Sequence, residues 1–61
     1  MQKLKELREK MGFSQEELAE KSGISRVSIS NLETGTVSEA KISTLRKLAS
    51  ALNVSLDILL S

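Results

Sequence analysis

The fold of this chain is decided by residues 14–35, which read SQEELAEKSGISRVSISNLETG. Glycines at positions 23 and 35 divide this stretch into two segments, each long enough for a helix of two to three turns. Glycine suits the end of a helix because it tolerates the left-handed backbone conformation found there. We therefore predict one helix over residues 15–22 and a second over residues 26–34, joined by a turn of only a few residues.

The starts of these helices carry specific signals. Ser14 and Glu17 have the spacing of a capping box, in which hydroxyl and carboxylate each satisfy an unpaired backbone N–H. Apolar residues before and after the capping serine form a hydrophobic staple. The same spacing recurs twice and predicts further helix starts at Arg26 and Leu56. The three staples are Phe13-Ser14-Leu18, Ile24-Ser25-Ile29 and Val54-Ser55-Leu59.

Apolar residues at helical spacing predict two more helices. One covers residues 2–11, stops at Gly12 and has the apolar face Leu4, Leu7 and Met11. The other begins as early as Glu39, with Ser38 as its cap, and ends near Asn53. Its apolar stripe is Ile42, Leu45, Leu48, Ala49 and Leu52. No stretch alternates as a strand would, so we predict an all-α fold, a compact bundle of five short helices forming one domain over residues 1–61.

Composition excludes several functions. The chain has 61 residues, of which 39% are hydrophobic and 28% charged, as in a small soluble globular domain. It contains no cysteine and no histidine, which removes disulfides, the commonest zinc ligands and nucleophile–histidine pairs. We therefore expect no enzyme activity, no metal and no cofactor. With no apolar run of about 18 residues and no signal peptide, we expect a cytoplasmic protein.

The outward face of the helix over residues 26–34 has an unusual composition. Serine, valine and asparagine replace better helix formers there, at a cost of a few tenths of a kcal/mol per position. Arginine pairs with guanine, asparagine pairs with adenine, and valine can contact a thymine methyl group. This face therefore favours the reading of DNA bases. Its members are Arg26, Val27, Ser28, Ser30 and Asn31.

The run from Ser14 to Ser25, followed by Ile29, Asn31-Leu32-Glu33 and Gly35, resembles the Cro/cI-like, lambda-repressor-like helix-turn-helix family, also called the XRE family. The resemblance extends from Leu4 to Leu60. It implies a transcriptional regulator, most often a repressor, that binds double-stranded DNA at a two-fold symmetric operator as a dimer. The helix over residues 26–34 would be the recognition helix in the major groove. A bacterial, phage or plasmid origin is also implied.

The resemblance also implies roles for single residues. The residues implied to contact bases are Arg26, Val27, Ser28 and Asn31. The resemblance implies phosphate contacts for Arg8 and Gln15, and the further candidates for phosphate contact are Ser25, Thr34, Thr36 and Lys41. Arg8 and Glu33 are implied to form an ion pair that ties the first helix to the recognition helix.

Several of these residues also have an interpretation that involves no contact with DNA. Arg8 can be a solvated charge, Gln15 an ordinary first-turn residue and Ser25 mainly a helix cap. Val27 can pack at the rim of the preceding helix, and Asn31 can simply be exposed.

The chain departs from the family pattern after Gly35. Residues 36–40, TVSEA, contain no proline, no basic residue and one acid. We therefore expect few phosphate contacts from this loop and a shallow salt dependence, since each neutralised phosphate contributes about 0.9 to the log–log slope.

Two questions about partners stay open. We expect a homodimer, formed either by an absent domain or by the carboxyl-terminal residues Val54, Leu56, Leu59 and Leu60. The near-neutral net charge of +1 also keeps a second hypothesis, a protein-binding module of antitoxin or anti-repressor type.

Overall fold

The computed structural model describes residues 1–37 and 39–61, and within them it contains five helices and no strand. The helices are α1 (Gln2–Lys10), α2 (Gln15–Ser22), α3 (Arg26–Thr34), α4 (Ile42–Ala51) and α5 (Leu56–Leu60). Helix α1 packs on α3 and α5, α2 packs on α3 and α4, and α4 packs on α5. The predicted all-α bundle of five short helices is confirmed.

The helix starts have the predicted caps. The Glu17 N–H donates to the Ser14 Oγ and the Ser14 N–H donates to the Glu17 Oε1, each over 3.0 Å. Helices α3 and α5 begin in the same way, because Ser25 and Ser55 each accept a hydrogen bond from an N–H three residues later. Hydrogen bonds within a few residues of each cap therefore mark where these three helices begin.

The turn between α2 and α3 consists of Gly23, Ile24 and Ser25. Gly23 has a φ of +75°, and its N–H donates to the Ala19 carbonyl oxygen over 2.9 Å. A Cβ at Gly23 would meet no atom within 4 Å, so glycine is favoured there by its backbone conformation and not by lack of space. This turn brings α3 back against α2 after only three residues.

The core draws on every helix. Its buried hydrophobic residues are Leu4, Leu18, Ile29, Leu32, Leu45, Leu48, Ala49, Leu52 and Leu59. The first residues of the three staples, Phe13, Ile24 and Val54, are partly buried and pack against it. Each fully buried Leu or Ile side chain contributes about 1.5–3 kcal/mol relative to an exposed one. This burial holds α3 in place.

Helix α4 begins later than predicted. It starts at Ile42, with Lys41 at the N-cap position and no hydrogen bond from a capping side chain, while Glu39 is not helical. The prediction that α4 starts at Glu39 is therefore wrong, and the predicted cap, Ser38, lies outside the described residues. Ala40 packs against the core without being helical, and Glu39 and Lys41 are exposed, so no side chain in this stretch needs a further helical turn to become buried.

The other predicted helix ends are close to those observed. Helix α1 ends at Lys10 with Met11 as its C-cap, one residue before the predicted end. Helix α4 ends at Ala51, and Asn53 follows with a φ of +58°. Asparagine is one of the few residues that adopt this left-handed conformation readily, as its predicted place at the helix stop required.

Replacing Ser14 with alanine is expected to lower the free energy of unfolding by about 1 kcal/mol, because one N–H at the start of α2 loses its acceptor. Urea unfolding followed by circular dichroism measures this change. Ser50→Ala is the matched control, since Ser50 is exposed within α4. That variant should be as stable as the unchanged chain or slightly more so. Equal stability of the Ser14→Ala variant and this control would contradict the capping role.

Candidate nucleic-acid interface

The outer face of α3 extends into solvent. Arg26, Val27 and Ser28 are exposed, and Asn31 is half-buried at the edge of the same face. Val27 is 64% exposed, so most of its side chain does not pack on α2. The opposite side of the helix carries the buried residues Ile29 and Leu32 (0% and 3% exposed). Their burial in the core determines which α3 side chains remain available to a ligand.

Two serines at the start of α3 are hydrogen-bonded to each other. The Ser25 Oγ accepts the Ser28 N–H over 3.1 Å and donates to the Ser28 Oγ over 2.9 Å. Ser25 is thus a helix cap whose proton is already used. The Ser28 hydroxyl accepts in this pair, so its own proton is still available for a base or phosphate acceptor.

Glu33 joins three helices through its carboxylate. Arg8 on α1 donates from Nε to Oε2 over 2.6 Å and from Nη2 to Oε1 over 3.1 Å. Gln15 on α2 donates from Nε2 to Oε1 over 3.1 Å, and the Arg8 Nη1 also donates to the Phe13 carbonyl oxygen over 2.7 Å. The side chains of Arg8 and Glu33 are only 11% and 2% exposed. The structure therefore contains the ion pair that the family resemblance implied.

The charges of this ion pair stabilise each other. Burial raises the pKa of the Glu33 carboxyl, but the hydrogen bonds from Arg8 and Gln15 outweigh burial, and the pKa lies below its ordinary value. The hydrogen bond to Glu33 in turn raises the pKa of Arg8. Glu33 lies in the last turn of α3, where the helix dipole disfavours a negative charge. The neighbouring guanidinium compensates for this placement.

The buried cluster limits what Arg8 and Gln15 can offer a phosphate. Three of the five Arg8 donors are directed at Glu33 or Phe13, which leaves two for another acceptor. The Gln15 amide uses one of its two protons on Glu33. Gln15 also lies in the first turn of α2, where backbone N–H groups have no partner within the helix.

The other residues predicted to contact phosphates lie beside the exposed outer face of α3. Thr34 donates from Oγ1 to the Ser30 carbonyl oxygen, and its Oγ1 lies 3.0 Å from the Thr36 Oγ1. Both threonines are exposed, as are Ser25 and Lys41. Lys41 shares an open groove with Ser28 and Asn31. The predicted site residues thus form an exposed surface on α3 and its flanks, and a separate buried cluster around Glu33.

The sequence interpretation missed two participants. The Phe13 carbonyl oxygen holds Arg8, and a backbone acceptor leaves no signal in a sequence. Glu39 lines the same groove as Asn31 and Lys41. The sequence predicts Glu39 inside a helix, so its position beside α3 is a finding of the structure.

The residues of the predicted carboxyl-terminal dimer surface differ in exposure, and the homodimer itself stays a prediction. Leu59 is 1% exposed and belongs to the core, so its side chain is not available to a partner copy in this structure. The staple that starts α5 requires Leu59 to face inward. Val54 and Leu56 are partly buried against the core, whereas Leu60 is 52% exposed and Ile58 is 46% exposed.

No helix in the described ranges, 1–37 and 39–61, is both long and apolar enough to cross a membrane.

Comparison with known proteins gives consistent matches. A family model described as helix-turn-helix matches residues 4–59. The HTH-type transcriptional regulator SinR of Bacillus licheniformis is 35% identical over 60 residues, covering 98% of this chain and 54% of that protein. SinR of Bacillus subtilis (strain 168) is 36% identical over 59 residues, covering 97% of this chain and 53% of that protein. The chain therefore spans about half the length of the curated relatives it matches.

A solved structure is also similar. It is the crystal structure of the master regulator for biofilm formation SinR in complex with DNA, with a TM-score of 0.95 and 35% sequence identity. The match covers 98% of this chain and 95% of that chain.

The variant Glu33→Gln is expected to lower the free energy of unfolding at pH 7 by about 1–3 kcal/mol, because it leaves the mostly buried Arg8 without its counter-charge. Since the pKa of Glu33 is lower in the folded chain, its contribution to stability is complete above the unfolded value of about 4.3. That contribution is lost as pH falls through the folded value. Urea unfolding between pH 3 and 7 should therefore show a weaker pH dependence for Glu33→Gln than for the unchanged chain.

Glu20→Gln is the control for this experiment, because Glu20 is exposed on α2. It should leave stability at pH 7 nearly unchanged. Parallel pH profiles for the unchanged chain and Glu33→Gln would show that the ion pair is not a source of stability.

Proposed function

The chain belongs to the helix-turn-helix family, and from that premise we propose that it is the DNA-binding domain of a transcriptional regulator that recognises a specific double-stranded sequence. The exposed face of α3 carries this proposal, because the core holds Ile29 and Leu32 and leaves the opposite side chains in solvent. In this proposal α3 enters the major groove as the recognition helix. The regulator is most simply a repressor, since a domain bound at an operator blocks other proteins from that DNA.

We assign direct base contacts to the exposed part of α3. Arg26 has the donor pattern for a guanine, Asn31 can donate to and accept from an adenine, and Val27 can contact a thymine methyl group. Ser28 can contribute its hydroxyl proton to a base or to a phosphate. The exposed positions of Arg26, Val27 and Ser28 support this assignment, as does the position of Asn31 at the groove edge.

Phosphate contacts are proposed for residues on both sides of α3. Gln15 and Arg8 lie on one side, where the start of α2 supplies backbone N–H groups that favour an anion. Lys41 and the threonines lie on the other side. Such contacts set the position of α3 on the duplex but do not read its sequence. Ser25 contributes mainly as the cap of α3, since its hydroxyl proton is bonded to Ser28.

We further propose that two copies bind one operator. A single domain of this size contacts few base pairs, and two-fold symmetry places a second recognition helix about 34 Å away, one turn along the DNA. The exposed Leu60 is the member of the predicted carboxyl-terminal set that a partner copy could contact directly. A further domain could equally hold the two copies together.

The named relatives support regulation of transcription over the alternative of an antitoxin or anti-repressor module that binds only protein. The regulators named SinR come from two Bacillus species, and the similar solved structure contains DNA. We accordingly propose a site of action on bacterial DNA in the cytoplasm and no enzymatic role.

Selection from a random duplex library should recover a defined DNA sequence for the unchanged chain. Arg26→Ala and Asn31→Ala should each weaken binding to that sequence by about 5–150-fold, or 1–3 kcal/mol, and relax selection at single base positions. Fluorescence anisotropy against the selected duplex and a scrambled duplex measures both effects.

Arg46→Ala is the matched control, because it removes the same charge from an exposed position on α4. It should change binding to the two duplexes by the same small factor. If Arg26→Ala and Asn31→Ala keep the selected sequence unchanged, α3 does not read the bases and the proposal fails.

A further inference from the structure

The groove between α3 and the start of α4 contains charges of both signs. It has a volume of about 320 Å³. Its polar lining comes from Ser28, Asn31, Glu39, Lys41 and Thr44. Two of these residues, Ser28 and Asn31, belong to the proposed base-reading face. Glu39 therefore lies beside the surface that is proposed to meet DNA.

The groove is bounded by segments that are held in place. The Val37 N–H donates to the Asn31 carbonyl oxygen over 3.1 Å, which ties the chain after Gly35 back to α3. On the other side, the Leu45 N–H donates to the Lys41 carbonyl oxygen over 3.0 Å in the first turn of α4. In the sequence Glu39 lies between Val37 and Lys41, and it lines the groove itself.

Glu39 is not neutralised by an ion pair in the described part of the chain, where the one salt bridge joins Arg8 to Glu33. Both Glu39 and Lys41 are exposed. Neither side chain is covered by the described part of the chain, so a duplex lying on α3 and reaching this groove would encounter both of them. A phosphate beside Lys41 would gain from the ammonium group and lose from the carboxylate.

We propose that Glu39 limits the affinity of this domain for DNA by holding a carboxylate beside the phosphates that Lys41 contacts. This inference rests on the proposed function. The repulsion does not depend on base sequence, so it lowers binding to specific and non-specific duplexes alike. A weak single domain makes tight binding depend on correct base contacts and on a second copy.

The test compares the unchanged chain with Glu39→Gln, which removes the charge and keeps the shape of the side chain. At low salt, Glu39→Gln should bind both the selected and the scrambled duplex about three- to tenfold more tightly, and the difference should shrink as salt screens the charge. Glu39→Lys should also steepen the log–log salt dependence by about 0.9, the value of one additional neutralised phosphate.

Glu6→Gln is the matched control, because it makes the same charge change at an exposed position on α1 outside the groove. It should leave both affinities nearly unchanged. Circular dichroism should show the same helix content for all variants, since both positions are exposed.

The outcomes separate the two proposals. If the unchanged chain shows no salt-sensitive DNA binding, the proposed function fails and this inference fails with it. If the chain binds DNA but Glu39→Gln matches Glu6→Gln, the proposed function stands and Glu39 has no role in affinity. Weaker binding of Glu39→Gln to the selected duplex alone would also overturn the inference, because Glu39 would then contact a base.

Discussion

The burial of Ile29 and Leu32 on one side of α3 is the constraint on which the proposed interface depends. These side chains pack into a core supplied by every helix, so α3 cannot rotate about its axis without exposing them to water. Each contributes about 1.5–3 kcal/mol, a large share of the stability of a 61-residue domain. The side chains on the opposite face are thereby held mostly in solvent, where poor helix formers such as Val27 and Ser28 gain little from packing.

The Glu33 cluster adds a polar constraint at the carboxyl end of α3. Arg8 and Gln15 come from α1 and α2, and both donate to one carboxylate in the last turn of α3. A buried carboxylate is costly unless it is paired, so the cluster favours the single arrangement in which all three helices are in register. The apolar side of α3 fixes its rotation, and Glu33 fixes its distance from the last turn of α1 and the first turn of α2. A helix that reads bases needs a fixed rotation and a fixed position, because a misplaced hydrogen-bond donor no longer reaches its acceptor on the base.

The segment after Gly35 shows how electrostatics can vary on a fixed scaffold. The hydrogen bond from Val37 to Asn31 keeps this segment against α3, yet its composition lacks basic residues. Glu39 and Lys41 then bring opposite charges to one groove. With a net charge of only +1, general attraction to phosphates is small, and in the proposed role the base contacts supply the sequence preference.

The sequence by itself determined the helices and the inward face of each, because capping boxes, staples and helix-stop glycines act within a few residues of their own positions. It also identified Arg26, Val27, Ser28 and Asn31 as an outward set, since helical periodicity follows from covalent geometry. Only the tertiary structure decided the start of α4 and the meeting of Arg8, Gln15 and Phe13 around Glu33. Those features depend on contacts between residues far apart in the chain, or on backbone acceptors that every residue type shares. No local pattern encodes them.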